Sequence, residues 1–263
     1  MSRLAVLGYP VAHSRSPAMQ NAALAALGLG DDWSYEAIEV APDGFEERVL
    51  SMAAAGFAGA NVTVPHKGAA LAVADELSEV AREIGAANTL IFSGGEIRAE
   101  NTDAQGLLNA MAVSPAGRRA LVLGAGGAAR AVVWALIREG AKVDIWNRTE
   151  RRSRDLSAEL GGSPVVEPDP GAYELIVNST AVGLRGEDPF QGLPLAADGF
   201  VPGQLIVDLV YNAGPTKLLQ AATAAGAAVV DGIEILVQQG ALSLQIWTGR
   251  EPPVEAMRAA ACG

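Results

Sequence analysis

The sequence predicts an α/β fold, and three observations carry that prediction. Short runs rich in Val, Ile and Leu alternate with Ala-rich segments of helical length, the pattern of strand-helix-strand units around a mostly parallel sheet. Gly and Pro bound those runs, and one of them enters a glycine-rich turn followed by an apolar helix. Half of the 263 residues are apolar, with 30 Gly and 5% aromatics, enough to bury one large core or two modest ones.

In chain order the expected strands are 4–7, 35–40, 59–64, 120–123, 143–146, 175–178, 205–209 and 228–230. A first helix starts at Ser16-Pro17, with Ser as cap and Pro at the first helical position, and Gly28 or Gly30 stops it. Pro65 ends the third strand and starts a helix. Another helix covers 104–112, and one opens at Gly127 and ends at Gly140. The break Val113-Ser114-Pro115-Ala116-Gly117 reads as a linker between two domains.

Composition narrows the function. Thirty acidic residues against 19 Lys plus Arg give a net charge of −11, which repels polyphosphate and argues against nucleic acid as the main partner. The single cysteine, Cys262, excludes an intrachain disulfide framework or a Cys-based zinc site, and two histidines leave little for a His-rich one, so no metal is expected. The N-terminal apolar run, 4–7, is too short for a secretory signal, and no stretch approaches the roughly 18 apolar residues of a membrane span. The expectation is a soluble cytoplasmic protein that binds a small molecule and no membrane, as monomer or homodimer.

The run Arg119–Leu123 enters Gly124-Ala125-Gly126-Gly127-Ala128-Ala129-Arg130, which satisfies G-x-G-x-x-G/A in a strand-turn-helix setting. Gly124 permits the tight turn, Gly126 lets backbone approach a pyrophosphate, and Gly127 adds room. Ala129 allows close helix-sheet packing, and the helix N-terminus supplies N–H groups to phosphates. A glycine-rich turn without a ligand is the plainer alternative. NAD-binding domains carry an acid about 20 positions later, but here the second strand ends at Trp146-Asn147-Arg148-Thr149. Arg148, with Arg151 and Arg152 behind it, can instead grip a 2′-phosphate through planar guanidinium forks, which points to NADP. For Arg154 an ordinary solvated helix face suffices.

A polar constellation fills the first hundred residues. Ser14 and Ser16 flank Arg15 before a Pro-started helix, where a substrate carboxylate fits; capping alone accounts for Ser16 but poorly for Ser14. In Asn61-Val62-Thr63-Val64-Pro65-His66-Lys67, alternation puts Asn61 and Thr63 on one strand face, and Lys67 follows at the strand's C-terminal edge, where α/β sheets place their ligand crevice. Lys67 and Asp103 make a proton-transfer pair, with Asn88 to orient hydroxyls. For Asn101 and Asp103 a turn and N-cap of the helix 104–112 competes.

These residues resemble the shikimate dehydrogenases. His13-Ser14-Arg15-Ser16-Pro17, Asn61 to Lys67, Ile84-Gly85-Ala86-Ala87-Asn88-Thr89, Asn101-Thr102-Asp103, Gly124 to Ala128, Asn147-Arg148-Thr149 and Asp231-Gly232 occur in family order across nearly the whole chain. The resemblance implies reversible NADPH-dependent reduction of 3-dehydroshikimate to shikimate, a step toward chorismate and the aromatic amino acids. It implies that Ser14 and Ser16 bind the carboxylate, and that Asn61, Thr63, Asn88, Asp103, Tyr211 and Gln239 hold ring hydroxyls or the reacting carbonyl. Lys67 and Asp103 then carry the proton transfer. Gly124, Ala125, Gly126, Gly127, Ala128, Asn147, Arg148, Thr149, Arg152 and Gly232 serve the cofactor.

The implied architecture is a substrate domain over 1–103, a Rossmann NADP domain over 104–231 and C-terminal helices over 232–263 returning to the first, with the active site in the cleft. The chain departs from the family at Ala213, where relatives often carry proline. The alternatives are a quinate or dual quinate/shikimate dehydrogenase on the same scaffold, and a non-catalytic NADP or shikimate sensor, against which the intact Lys67 and Asp103 speak. His13 and His66 read as local hydrogen-bonding groups rather than bases.

Overall fold

The computed structural model describes residues 1–212 and 214–263, so Ala213 lies outside the described residues. The chain divides into two compact units, 1–106 with 236–263, and 107–235. The first holds β1 (Ser2–Gly8), β2 (Trp33–Glu39), β3 (Phe57–Val62), β4 (Glu76–Leu77), β5 (Thr89–Ser93) and β6 (Glu96–Glu100), in the sheet order β2-β1-β3-β5-β6-β4. β1 pairs parallel with β2 and β3, whereas β5 runs antiparallel to β3 and β6. Leu4, Ala5 and Leu7 of central β1 are wholly buried, which is why this strand reads as a continuous apolar run. Its helices are α1 (Ser16–Ala26), α2 (Phe45–Ala54), α3 (Ala69–Ala72) and α4 (Glu79–Ile84), and α5 (Asp103–Met111) starts in it and ends in the second unit.

The second unit holds β7 (Arg119–Leu123), β8 (Lys142–Trp146), β9 (Ser163–Pro164), β10 (Leu175–Asn178), β11 (Leu205–Asp208) and β12 (Ala228–Val230), with α6 (Gly127–Arg138), α7 (Glu150–Leu160), α8 (Pro189–Gly192) and α9 (Lys217–Ala224). Its sheet order is β12-β11-β10-β7-β8-β9 and every pairing is parallel. Counted in chain order this is 3-2-1-4-5-6, the doubly wound nucleotide-binding arrangement, whose strand order reverses between β7 and β10. Period-2 alternation builds its two faces. Ala120, Val122, Val177 and Val207 pack under α6 through Val132, Val133 and Leu136, while Leu121, Leu123, Ile176 and Ile206 meet Leu218 and Leu219 of α9. Last come α10 (Gly232–Thr248), which starts in the second unit and ends in the first, and α11 (Val254–Cys262), which packs on α1.

The α/β class holds, with corrections to single elements. Among the described residues twelve strands form where eight are expected, and the additional ones are β4, β5, β6 and β9. β5 and β6 are a hairpin whose turn, Gly94-Gly95, has φ of +62° and +87°, the primed turn that two adjacent glycines favour. That glycine pair between two β-prone runs is the signal the sequence reading passes over. Two helix starts also move. Arg15 is the cap residue of α1, Ser16 is its first helical residue, and no side chain caps it; Ser14 Oγ instead accepts the Ser16 N–H at 3.2 Å. After Pro65 the chain forms turns, and α3 begins only at Ala69.

Candidate active site

Lys67 is presented by a tightly held turn. β3 ends at Val62, so Thr63 lies beyond the strand, where its N–H donates to Leu7 O at 2.8 Å. The His66 ring is buried, stacked on Phe45 with centroids 4.5 Å apart, and hydrogen-bonded through Nε2 to Val40 O at 2.7 Å. Through that bond and the ring stack, His66 anchors the turn. The Ala87 N–H donates to Lys67 O at 2.9 Å, tying the turn to the segment before β5. The Lys67 ammonium then meets Asp103 Oδ2 at 2.6 Å, with side chains 12% and 17% exposed. This is a shielded ion pair within reach of a ligand, unlike a solvated surface pair of negligible worth.

Asp103 is the first residue of α5, and Asn101 does the capping: its Oδ1 accepts the N–H groups of Asp103 at 3.0 Å and Ala104 at 3.3 Å. The capping alternative therefore holds for Asn101 and releases the Asp103 carboxylate for other partners. Asn88 takes one of them. Its Oδ1 accepts the Thr102 N–H at 2.7 Å, which fixes the amide so that Nδ2 faces Asp103 Oδ1 at 2.9 Å and Gln239 Oε1 at 3.1 Å. Lys67, Asp103, Asn88 and Gln239 thus form one connected group although 172 positions separate the first from the last.

Behind this group lies a cluster that the sequence reading misses. The hydroxyls of Thr89, Thr102 and Ser243, all buried, lie 2.8 to 3.4 Å apart, and Ser243 also donates to Gln239 O at 3.1 Å. Thr89 and Thr102 sit inside motifs already singled out, but a serine in an apolar helix carries no signal. The Asn61 amide is committed here too: Oδ1 accepts from Tyr35 OH at 2.8 Å, and Nδ2 donates to Asn88 O and Ser243 Oγ. Asn61 braces Asn88 from within the protein. Ser16 is buried and Ser14 is half-buried, while His13 is exposed.

In the second unit the glycine-rich turn has the geometry a dinucleotide needs. Gly124 has φ +119°, and a Cβ there would lie 2.8 Å from Ser179 Oγ, so only glycine fits. Gly126 precedes α6 with no capping side chain, and a Cβ there would point into open space. Backbone N–H groups and room for phosphate coincide at one helix N-terminus, so the residues fit the cofactor. Arg148 and Arg152 are exposed beyond β8, Asn147 Nδ2 donates to Thr149 O at 3.0 Å, and Arg154 pairs with Glu150, as expected of a solvated face. Tyr211 is half-buried beyond β11. A Cβ on Gly232 would meet Leu209 O at 2.6 Å, a close approach of two backbones.

Asp208 closes β11 as a buried carboxylate. It accepts Asn178 Nδ2 at 2.8 Å, the Val210 N–H at 3.1 Å and Thr216 Oγ1 at 2.7 Å, yet burial outweighs these bonds and pushes its titration above the usual carboxylate range. The folded protein therefore holds this proton more tightly than the unfolded chain. Its contribution to stability is present below the ordinary carboxylate range and is lost as pH rises through the raised value. Asn cannot ionise. The Tm of Asp208→Asn relative to wild type is therefore expected to improve on going from pH 4 to pH 8, and a difference that stays flat or declines would contradict the assignment.

Among the described residues no group of three or more His, Cys, Asp or Glu could hold a metal ion, and no helix is long and apolar enough to cross a membrane. Three family models match the chain: shikimate dehydrogenase substrate binding domain over residues 6–90, shikimate / quinate 5-dehydrogenase over 107–169, and shikimate 5'-dehydrogenase C-terminal domain over 232–262. The chain is 43% identical to the shikimate dehydrogenase (NADP(+)) of Methanocella arvoryzae, over 99% of this chain and 98% of that protein. It is 46% identical to the shikimate dehydrogenase (NADP(+)) of an Anaeromyxobacter species, over 97% and 94% of the two chains. The crystal structure of shikimate 5-dehydrogenase from Thermus thermophilus in complex with NADP(H) and shikimate superposes with a TM-score of 0.90 at 43% identity, covering 99% of this chain and 98% of that one.

Proposed function

The chain belongs to the shikimate dehydrogenase family, and from that premise we propose the assignment of each residue to the reversible, NADPH-dependent reduction of 3-dehydroshikimate to shikimate. The observation that carries the chemistry is the 2.6 Å pair of Lys67 and Asp103, bridged through Asn88 to Gln239. Ketone reduction needs hydride on carbon and a proton on oxygen, and NADPH, when bound, supplies the hydride. The Lys67 ammonium stabilises negative charge developing on the carbonyl oxygen and delivers the proton, while the Asp103 carboxylate holds the ammonium in place.

Asn88 and Gln239 orient ring hydroxyls with Thr63, while Asn61, expected from the sequence to hold a hydroxyl too, has its amide taken up within the protein and serves by bracing Asn88. Tyr211, half-buried beyond β11, is assigned to the substrate as well. Ser14 and Ser16 take the substrate carboxylate at the start of α1. The first unit is the substrate-binding domain and the second binds NADP. There, Gly124, Ala125, Gly126, Gly127 and Ala128 cradle the pyrophosphate, and Gly232 allows approach to the nicotinamide. Asn147, Arg148, Thr149 and Arg152 receive the 2′-phosphate.

The test is absorbance at 340 nm with four substrate pairs, shikimate or quinate with NADP or NAD. Shikimate with NADP is expected to turn over fastest. A clear preference for quinate with NAD would instead favour a quinate dehydrogenase, and silence on all four pairs together with ligand binding would favour a sensor. In the same assay Arg148→Ala is expected to raise the KM for NADP about tenfold, the scale of one charge-assisted phosphate contact, with the KM for NAD unmoved. Equal losses with both cofactors would remove Arg148 from the 2′-phosphate site.

A further inference from the structure

The strand order of the second sheet reverses between β7 and β10, and the segments leaving those two strands touch. The Ser179 N–H and Ser179 Oγ both donate to Leu123 O, at 2.9 and 2.7 Å, and the space above Gly124 is filled by Ser179 and Thr180. The turn 178–182 therefore forms the wall of the glycine-rich loop on its β10 side. Asn178 shapes that turn: its Oδ1 accepts the N–H of Thr180 at 3.1 Å and Thr180 Oγ1 at 2.7 Å, and Thr180 Oγ1 accepts the Val182 N–H. What holds Asn178 itself is Asp208, whose Oδ1 takes Asn178 Nδ2 at 2.8 Å.

The same carboxylate folds back the loop that follows β11, accepting the Val210 N–H and the hydroxyl of Thr216, which caps α9 by accepting the Leu219 N–H at 3.3 Å. Asp208 is 2% exposed and takes no part in the chemistry of Lys67. A buried carboxylate is costly to keep, and here its three hydrogen-bond donors come from the end of β10, through Asn178, and from the one loop that leaves β11, through Val210 and Thr216, both at the C-terminal edge of the sheet where such folds bind nucleotides.

We infer that Asp208 is a positioning residue for NADP: by holding Asn178 it presses the turn 178–182 against the Gly124 loop and sets the width of the phosphate cradle. This rests on the assignment of NADP to the second unit. The ligand never touches Asp208 in this scheme; the carboxylate acts through the backbone of Ser179 and Thr180.

The experiment is a titration of NADP into the full chain, followed by calorimetry, with Tm recorded for every variant. Asp208→Ala is expected to weaken NADP about tenfold, equivalent to about 1.4 kcal/mol. Asp208→Asn retains an acceptor for Asn178 and Val210 and is expected to restore affinity to within about threefold of wild type. Leu218→Ala, a core truncation in the same unit, serves as the control for simple destabilisation and should leave the affinity unchanged. An Asp208→Ala protein that binds NADP as wild type does, or a Leu218→Ala protein that weakens NADP equally, overturns the inference. Should Asp208→Ala fail to fold, Thr216→Val, which removes one of the three donors, is judged the same way: weaker NADP binding supports the inference and unchanged binding overturns it. A wild-type chain that binds no NADP overturns the cofactor assignment and this inference together, and the first titration alone reveals it.

Discussion

Lys67→Ala is expected to lower kcat for shikimate oxidation about 10²- to 10⁴-fold, the range for removing a positioned general acid or base, while shikimate Kd changes little. The reasoning is differential. In the resting protein the ammonium is occupied by Asp103 at 2.6 Å, so truncating it removes little that binds the ground state of the substrate. In the transition state the oxygen carries developing charge, and the same ammonium is then the nearest cation to it on this scheme. Steady-state kinetics with a separate binding titration checks both halves. A variant that keeps wild-type kcat would leave the family assignment standing but remove Lys67 from the proton transfer. One that loses shikimate binding in proportion to kcat would make Lys67 a binding group.

Gly106→Ala is expected to disable the same site from the side of the scaffold. A Cβ at Gly106 would fall 2.7 Å from both Cβ and N of Gln239, and 2.8 Å from its Cα. The neighbour is helix backbone and cannot swing aside, so α5 and α10 must separate by about 1 Å. Helix propensity alone favours Ala over Gly by about 1 kcal/mol, but forced overpacking costs typically 1–3 kcal/mol, and the overlap with backbone puts this site at the upper end. The net expectation is a loss of about 2 kcal/mol in stability. The larger effect falls on activity. Asp103 lies one turn before Gly106 and Gln239 is the residue struck, so both partners of Asn88 move, and a misplacement of about 1 Å costs on the order of 10²-fold in rate. Chemical denaturation and 340 nm kinetics report the two consequences separately; a stabilised and fully active variant would refute the tight crossing.

Much of this arrangement is legible in the residues before any coordinates. Runs such as 120–123 and 175–178 announce buried parallel strands, and the glycine-rich turn between strand and helix carries its own geometry. Lys67 and Asp103 are recognisable as a pair because each follows an apolar segment at a place where chain direction changes. What stays hidden is what depends on partners distant in sequence. Ser243 is one hydroxyl in a long apolar helix, and only the approach of α10 to β5 makes it a partner of Thr89, 154 positions away. Asp208 at the end of an apolar strand carries no sign that its donors come from Asn178 and Thr216. The amide of Asn61 is likewise legible as polar but not as already saturated by Tyr35, Asn88 and Ser243. The β5–β6 hairpin was within reach, since adjacent glycines between two alternating runs are a direct turn signal.

The first unit is interrupted in sequence, and this sets an order on biosynthesis. Its sheet is encoded before residue 107, but Gln239, Ser243 and the contact of Gln20 with Gly240 O at 3.0 Å come from α10. The ribosome must add the 129 residues of the second unit first. At about 5–20 residues per second the early segment waits roughly 6–25 s with Asn61, Asn88 and Thr89 lacking their last partners. During that interval the nascent chain exposes apolar surface that α10 and α11 later cover, while all six strands of the intervening unit emerge. The catalytic group is therefore among the last parts of the protein to form, and an incomplete chain that has already built its nucleotide-binding sheet is without activity.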